Sequence, residues 1–212
     1  MKKENRLWFW SISIIILILL TWLMISLASP NTEGSTVLTD TEWSKGNPDA
    51  AVTLIEYSDF QCPACAKYYQ MINKIAEEMG EEIQVIYRHF PLSRSHPQAE
   101  LAARAAEAAG QQGAFWEMHN KLFANQNAWS NQSNAEDMFV GYAQELGLDI
   151  EKFKTDMNSK AIEDAVKDDQ RSGNQALVEG TPTFFLNGEK INNPRSYDKL
   201  RQALRNKLSE IQ

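Results

Sequence analysis

Three regimes of apolar patterning divide the chain. Residues 7–28 form an uncharged, mostly apolar run. Residues 29–48 are polar, contain Pro30, Gly34, Gly46 and Pro48, and show no clear period, so they read as a tether. Trp43 within it could dock on the neighbouring domain or stand alone as an exposed ring. From residue 49 to residue 212 the spacing is that of a mixed α/β domain. Val52-Thr53-Leu54-Ile55-Glu56-Tyr57 is strand-like. Tyr68/Tyr69, Ile72, Ile75/Ala76 and Met79 then fall at helical spacing, and Gly80 suits the position just past the helix end. Residues 83–87 read as a second strand, parallel to the first because a helix connects them.

Helical periods dominate the middle of the chain. Residues 98–109 are alanine-rich and stop at Gly110, the pattern of a closely packed helix. Phe115, Met118, Leu122 and Phe123 mark another apolar face, and His119 beside them reads as structural rather than catalytic. Residues 125–134 read as an Asn/Gln/Ser loop, after which Ser133-Asn134-Ala135-Glu136 matches a capping box. Phe139, Tyr142 and Leu146 continue a helical pattern, and residues 162–177 are helical too. Residues 183–186 are strand-like, Asn187-Gly188 favours a type I′ hairpin, and Ile191 lies on the returning strand. Ser196 caps a final helix with Tyr197, Leu200, Leu204 and Leu208 on one face.

The apolar run at 7–28 has the roughly 20 residues that a helix needs to span a bilayer. Trp8, Trp10 and Trp22 lie near its ends, where interfacial aromatics collect. Lys2, Lys3 and Arg6 precede it and keep residues 1–6 cytoplasmic. The reading is a single-pass anchor in the cell membrane, with the domain outside. A cleaved signal peptide is the alternative, since Ser26-Leu27-Ala28 is a tolerable small-x-small site, but a signal core is usually about 7–15 residues. Either way the domain leaves the cytoplasm for a setting that permits disulfides. The formal net charge of −7, with a basic N-terminus, makes the exported part acidic and unsuited to nucleic acid.

Composition matters most at two residues. Cys62 and Cys65 are the only cysteines, in Cys62-Pro63-Ala64-Cys65 between a strand and a helix. A helix start offers unsatisfied N–H groups and a positive dipole end, which favour thiolate, the attacking species of thiol–disulfide exchange. A structural zinc site is a weaker reading. It wants four ligands, and the chain has no second pair and no H-x₃₋₅-H spacing among His89, His96 and His119. An inert bridge is weaker too, because so short a loop gains little from closure. Glu56 shares a strand face with Val52 and Leu54 and should be buried, with a raised pKa; the alternative is a solvated acid at a strand end.

This order of elements, with the CxxC early and Gly180-Thr181-Pro182-Thr183 late, resembles the thioredoxin fold and, more narrowly, the DsbA-like thiol:disulfide oxidoreductases. The resemblance is carried by Glu56-Tyr57-Ser58-Asp59-Phe60-Gln61-Cys62-Pro63, Tyr87-Arg88-His89-Phe90-Pro91-Leu92, Ala114-Phe115-Trp116-Glu117-Met118-His119 and Gly180-Thr181-Pro182-Thr183-Phe184-Phe185. It implies an α/β, thioredoxin-like fold with a helical subdomain inserted at about 96–177, here preceded by one transmembrane helix. It implies that Pro182 is cis, that Thr181 offers its backbone to an extended substrate, and that Glu56 relays protons for Cys65. It also implies an exported enzyme, expected as a monomer without metal or cofactor, that donates its disulfide to unfolded exported proteins containing cysteine. A DsbB-like or vitamin-K-epoxide-reductase-like (VKOR-like) membrane partner would reoxidise it. Many strongly oxidising relatives carry histidine just before the second cysteine, where this chain has Ala64. Two other readings remain: a reductase or isomerase kept reduced by a membrane donor, and a peptide-binding chaperone using the Pro182 groove.

The topology has a direct test. After expression of the full chain, the domain should fractionate with the membrane and be digested by protease added from outside. A soluble exported product starting near Ser29 would identify a cleaved signal, and a protease-protected domain would contradict the topology.

Overall fold

A computed structural model describes residues 14–22 and 42–211. The chain divides into two compact units, residues 1–32 and residues 33–212. In the first, residues 14–22 form a helix, α1, with exposed side chains. The rest of the expected 7–28 span lies outside the described residues. No helix among the described residues is long and apolar enough to cross a membrane.

The second unit is built on a sheet of five strands in the order β1-β3-β2-β4-β5. The strands are β1 (Trp43–Gly46), β2 (Val52–Ser58), β3 (Ile83–His89), β4 (Thr183–Leu186) and β5 (Glu189–Ile191). The helix α2 (Cys65–Met79) connects β2 to β3, which run parallel with Glu56 opposite Tyr87. β4 lies antiparallel to β2, placing Phe184 opposite Glu56. Asn187 and Gly188 both have positive φ, 47° and 84°, as the type I′ turn between β4 and β5 requires.

Between β3 and β4 lie six helices: α3 (Ala99–Gly110), α4 (Phe115–Ala124), α5 (Gln126–Trp129), α6 (Ala135–Glu145), α7 (Ile150–Met157) and α8 (Lys160–Gln175). The final helix is α9 (Tyr197–Ile211); Ser196 Oγ accepts the Lys199 N–H at its start. Period-two alternation splits the core about the sheet. Val52, Leu54, Val85 and Phe184 pack with Ile72 and Ile75 of α2 and Leu200 and Leu204 of α9. Ile55, Tyr57, Ile86 and Phe185 face the opposite way, toward Phe90 and Val178. A third cluster joins Cys62, Cys65, Phe60 and Tyr87 to the inserted helices.

Several local expectations are corrected. Residues 43–46, read as tether, form β1 and pair antiparallel with β3. Four residues give too short an alternation to stand out. The strand is held instead by Trp43, whose ring stacks on Phe115 at 4.3 Å and donates Nε1–H to Glu107 at 2.6 Å. Gly110 does end α3, as expected, and it also makes room for the indole: a Cβ there would lie 2.3 Å from the Trp43 ring. Gly80 is right-handed, with φ −60°, so it does not act as a left-handed cap. The capping box does not form; Asn134 begins α6 without a side-chain cap. Residues 125–134 are not all loop, because α5 lies within them, and α7 lies where no helix was expected.

Buried charge ties β1 and β3 together. Arg88 reaches Glu42 at 2.5 Å and donates to the Tyr57 hydroxyl at 2.8 Å. His89 Nε2 is 3.0 Å from the Glu107 carboxylate that also holds Trp43. Removing the indole should therefore be costly. Trp43→Ala is expected to lose about 3 kcal/mol of stability. Trp43→Phe, which keeps the stack and loses only the donor, should lose about 1 kcal/mol. The check is the shift of the urea midpoint at unchanged slope; equal losses in the two variants would assign the whole effect to the hydrogen bond.

Candidate active site

The site forms where β2 ends and α2 begins. Glu56 and Ser58 follow Val52 and Leu54 on the sheet face that α2 covers, and Tyr87 is in register with Glu56 on β3. All three are buried, at 2 %, 1 % and 2 % exposure. Beyond Ser58 the chain bends sharply. Asp59 Oδ1 accepts the Gln61 N–H at 2.7 Å. Its Oδ2 accepts the Leu92 N–H at 2.8 Å and lies 2.7 Å from His96 Nδ1. The Cys62 N–H donates to the Asp59 carbonyl, and the Cys62 carbonyl accepts from Ala66 N–H in the first turn leading into α2, both at 3.1 Å.

The two sulfurs occupy unlike surroundings. Cys62 keeps 7 % exposure and Cys65 has none, while Pro63 and Ala64 are exposed. Cys62 donates its thiol hydrogen to the Thr181 carbonyl at 3.4 Å. Thr181–Pro182 is a cis peptide, and the loop before β4 meets the cysteines there. The Cys65 thiol hydrogen-bonds the Cys62 sulfur and pulls its pKa down to about 5, against the opposing effect of burial. The backbone of Cys65 and Ala64 and the side chain of Thr181 add to the lowering. Burial pushes Cys65 well above the usual thiol value, and the neighbouring Cys62 and Glu56 charges push it further. Burial likewise raises Glu56 to about 7, with the nearby Ser58 hydroxyl opposing and Cys62 reinforcing the rise.

Around Cys65 the polar groups are poorly satisfied. Glu56 Oε1, Ser58 Oγ and Tyr87 Oη are buried and have no well-formed hydrogen bond among the described residues. Such atoms are rare in folded proteins and collect at redox and catalytic sites. His119 is not part of this chemistry. It is buried among Phe60, Tyr87, Trp116 and Phe123, and burial lowers its pKa to about 3, so it stays neutral. Among the described residues no cluster of His, Cys, Asp and Glu could hold a metal.

A family model described as Thioredoxin matches residues 38–206. The chain belongs to the thioredoxin family. Solved structures give its fold within that family. It is similar to a thioredoxin-like oxidoreductase from Silicibacter pomeroyi at 25% identity and a TM-score of 0.67, covering 79% of this chain and 92% of that one. It is also similar to Wolbachia pipientis alpha-DsbA1, at 19% identity and a TM-score of 0.75 over 85% and 97% of the two chains. Oxidised BdbD from Bacillus subtilis matches at 22% identity and a TM-score of 0.70 over 79% and 93%. This thioredoxin-family chain thus has the DsbA-like architecture, with helices inserted in the fold. By sequence it is 40% identical, over 76% of its length, to a Na(+)/H(+) antiporter NhaA 1 from Mycolicibacterium gilvum. It spans about a quarter of the length of the curated relatives it matches, 25% in that case.

The structure brings Cys62, Cys65, Glu56, Thr181 and Pro182 together around one bend of chain. It adds residues that the sequence did not mark. Gln126 on α5 donates its side-chain N–H groups to the Phe60 carbonyl at 2.7 Å and the Cys62 carbonyl at 2.9 Å. Gln61 accepts the Gln98 N–H at 2.7 Å and donates to the Ser130 carbonyl at 2.6 Å. In the sequence Gln126 is one polar residue in an Asn/Gln/Ser stretch and Gln61 one residue of the segment that carries the resemblance, and only their burial distinguishes them. Ser58 and Asp59 lie in a stretch that carries the family resemblance, but nothing in the sequence gave either a role of its own.

Glu56→Gln separates the carboxyl from its shape. A carboxyl whose pKa rises from 4.5 to about 7 on folding costs stability that grows as pH climbs through that window and is full above 7. At about 1.36 kcal/mol per unit, the parent should lose about 3 kcal/mol more than the variant between pH 4 and pH 8, because Asp169, which burial also raises to about 7, adds its own loss to both proteins. The variant should also lose the inflection near pH 7 in the rate of steps that use Cys65. Coincident stability and rate profiles for the two proteins would make Glu56 a spectator.

Proposed function

We propose that the chain is an extracytoplasmic, membrane-anchored thiol:disulfide oxidoreductase that donates the Cys62–Cys65 disulfide to folding exported proteins. The observation that carries this reading is the opposed setting of the two sulfurs. Reduction of the disulfide yields one well-stabilised thiolate, at Cys62, so the reduced enzyme is favoured and the disulfide oxidises other thiols. In the first step a substrate thiolate attacks the Cys62 sulfur, the enzyme disulfide breaks, and Cys65 leaves with the electron pair. Glu56, half-protonated near pH 7, supplies the proton that Cys65 takes up. A second substrate thiolate then attacks the substrate sulfur of the mixed disulfide, and Cys62 leaves as thiolate. The substrate has lost two electrons and the enzyme has gained them.

The loop carrying Thr181 and Pro182 supports an extended chain laid beside Cys62, with backbone pairing giving affinity with little sequence preference. Return to the disulfide needs an electron acceptor, for which a DsbB-like or VKOR-like membrane protein is the partner proposed. An anchor formed by residues 7–28 would hold the domain near it and raise the effective concentration. The ion antiport in the relatives' names is not carried over to this chain.

The deciding measurement is the reduction potential in glutathione buffers. The Cys62 value of about 5 lies between the thiols of a reducing thioredoxin, about 7, and a strong oxidant, about 3.5. A potential above about −200 mV is expected. A value near −270 mV would assign a reductase instead. The oxidised protein should form disulfides in a reduced, unfolded substrate, and Cys62→Ser with Cys65→Ser should abolish this. Assistance to folding that survives both substitutions would point to a chaperone.

A further inference from the structure

The bend between β2 and α2 is held from three sides. Asp59 braces it against residues 92 and 96, Gln61 ties it to α3 and to the Ser130 carbonyl, and Gln126 reaches it from α5. Of these three side chains, only Gln126 touches the carbonyl of Cys62 itself. Its amide has two hydrogens and two acceptors, Phe60 at 2.7 Å and Cys62 at 2.9 Å. The side chain is buried at 6 % exposure, and Trp129, three residues on, is buried completely. Trp129 donates Nε1–H to the Leu122 carbonyl at 2.8 Å, and Ser130 donates to the Gln126 carbonyl at 2.5 Å. The four-residue helix is therefore pinned at both ends of its own length, and the amide it presents is fixed in place.

We propose that Gln126 is a positioning residue for Cys62, through which the inserted helices set the reactivity of its sulfur. The argument is electrostatic. A carbonyl oxygen is the negative end of a dipole, and the two that Gln126 holds belong to Cys62 itself and to Phe60, two residues before it. An N–H donated to each offsets that field and withdraws electron density. It also keeps Cys62 where its sulfur meets the Thr181 loop and the first turn of α2. Without the amide, the Phe60 carbonyl loses the Gln126 donor and the Cys62 carbonyl keeps only the Ala66 N–H, so their negative ends are less offset and the thiolate is disfavoured. Gln126 touches no substrate and takes no proton.

The inference rests on Cys62 being the sulfur that exchanges with substrate, and its test needs no substrate. Gln126→Met keeps the volume and removes both donors. In the full chain, thiolate absorbance against pH should show the Cys62 titration displaced upward by about one unit, a tenfold loss of thiolate at a fixed pH below it. The potential should fall by about 30 mV, the tenfold equivalent for this couple. A folded variant with unchanged titration and potential would overturn the proposal, even if its stability were lower, because Gln126 would then be structural only. If Gln126→Met does not fold, the parent decides the matter. The Gln126 side-chain amide signals in ¹⁵N NMR should shift with the same midpoint as Cys62, and signals indifferent to that titration would overturn it. Failure here leaves the oxidase reading to stand or fall on its own potential.

Discussion

Opposed environments for two sulfurs three residues apart are the constraint that the rest of the site serves. Cys62 has the Cys65 thiol and the backbone N–H groups of Ala64 and Cys65 donating toward its sulfur, and Cys65 meets burial and charges of the wrong sign. Neither effect comes from the cysteines alone. The sheet places a carboxylic acid under Cys65, the loop before β4 brings Thr181 to Cys62, and α2 supplies its first turn. A proton that leaves one sulfur is thereby directed to the other side of the pair. The fold is a means of holding that asymmetry in a protein too small to create it within one loop.

How much the sequence could reveal depends on the length over which each signal repeats. β2, β3 and α2 were legible because apolar positions recur several times at period two or at helical spacing. The dithiol was legible because no other cysteine competes with it. The Asn187-Gly188 hairpin was legible because only a few residues tolerate two positive φ angles in a row. β1 was not, since four residues with one indole carry no period; its stability resides in Phe115 and Glu107, more than 60 positions away. α7 left a fainter trace, an Asp149 cap that accepts the Lys152 N–H and the buried Phe153 and Met157 four apart. That pair of signals is too short to separate from chance.

Within the site the division is sharper. Cysteine, a strand-borne acid and a proline before a strand have chemistry that shows in one dimension. Gln126 does not, because an amide acts through what it reaches, and its two acceptors lie more than 60 residues earlier in the chain. The capping box failed for a related reason. Ser133-Asn134-Ala135-Glu136 has the right letters, but Asn134 begins the helix with no side-chain hydrogen bond, so the turn before α6 takes a different path.

The sheet's outer strands carry a consequence of their own. A protein proposed to work among unfolded chains is surrounded by segments ready to add to any open strand, and such additions end in aggregation. Both flanks of this sheet are short. β5 has three residues, with Glu189 and Lys190 exposed, and β1 has four, including Lys45 and the glycine that ends it. Short, charged margins give a passing chain little to pair with. In the proposed function, capture is then left to the loop beside Cys62, where contact would lead to release by exchange instead of to a growing fibre.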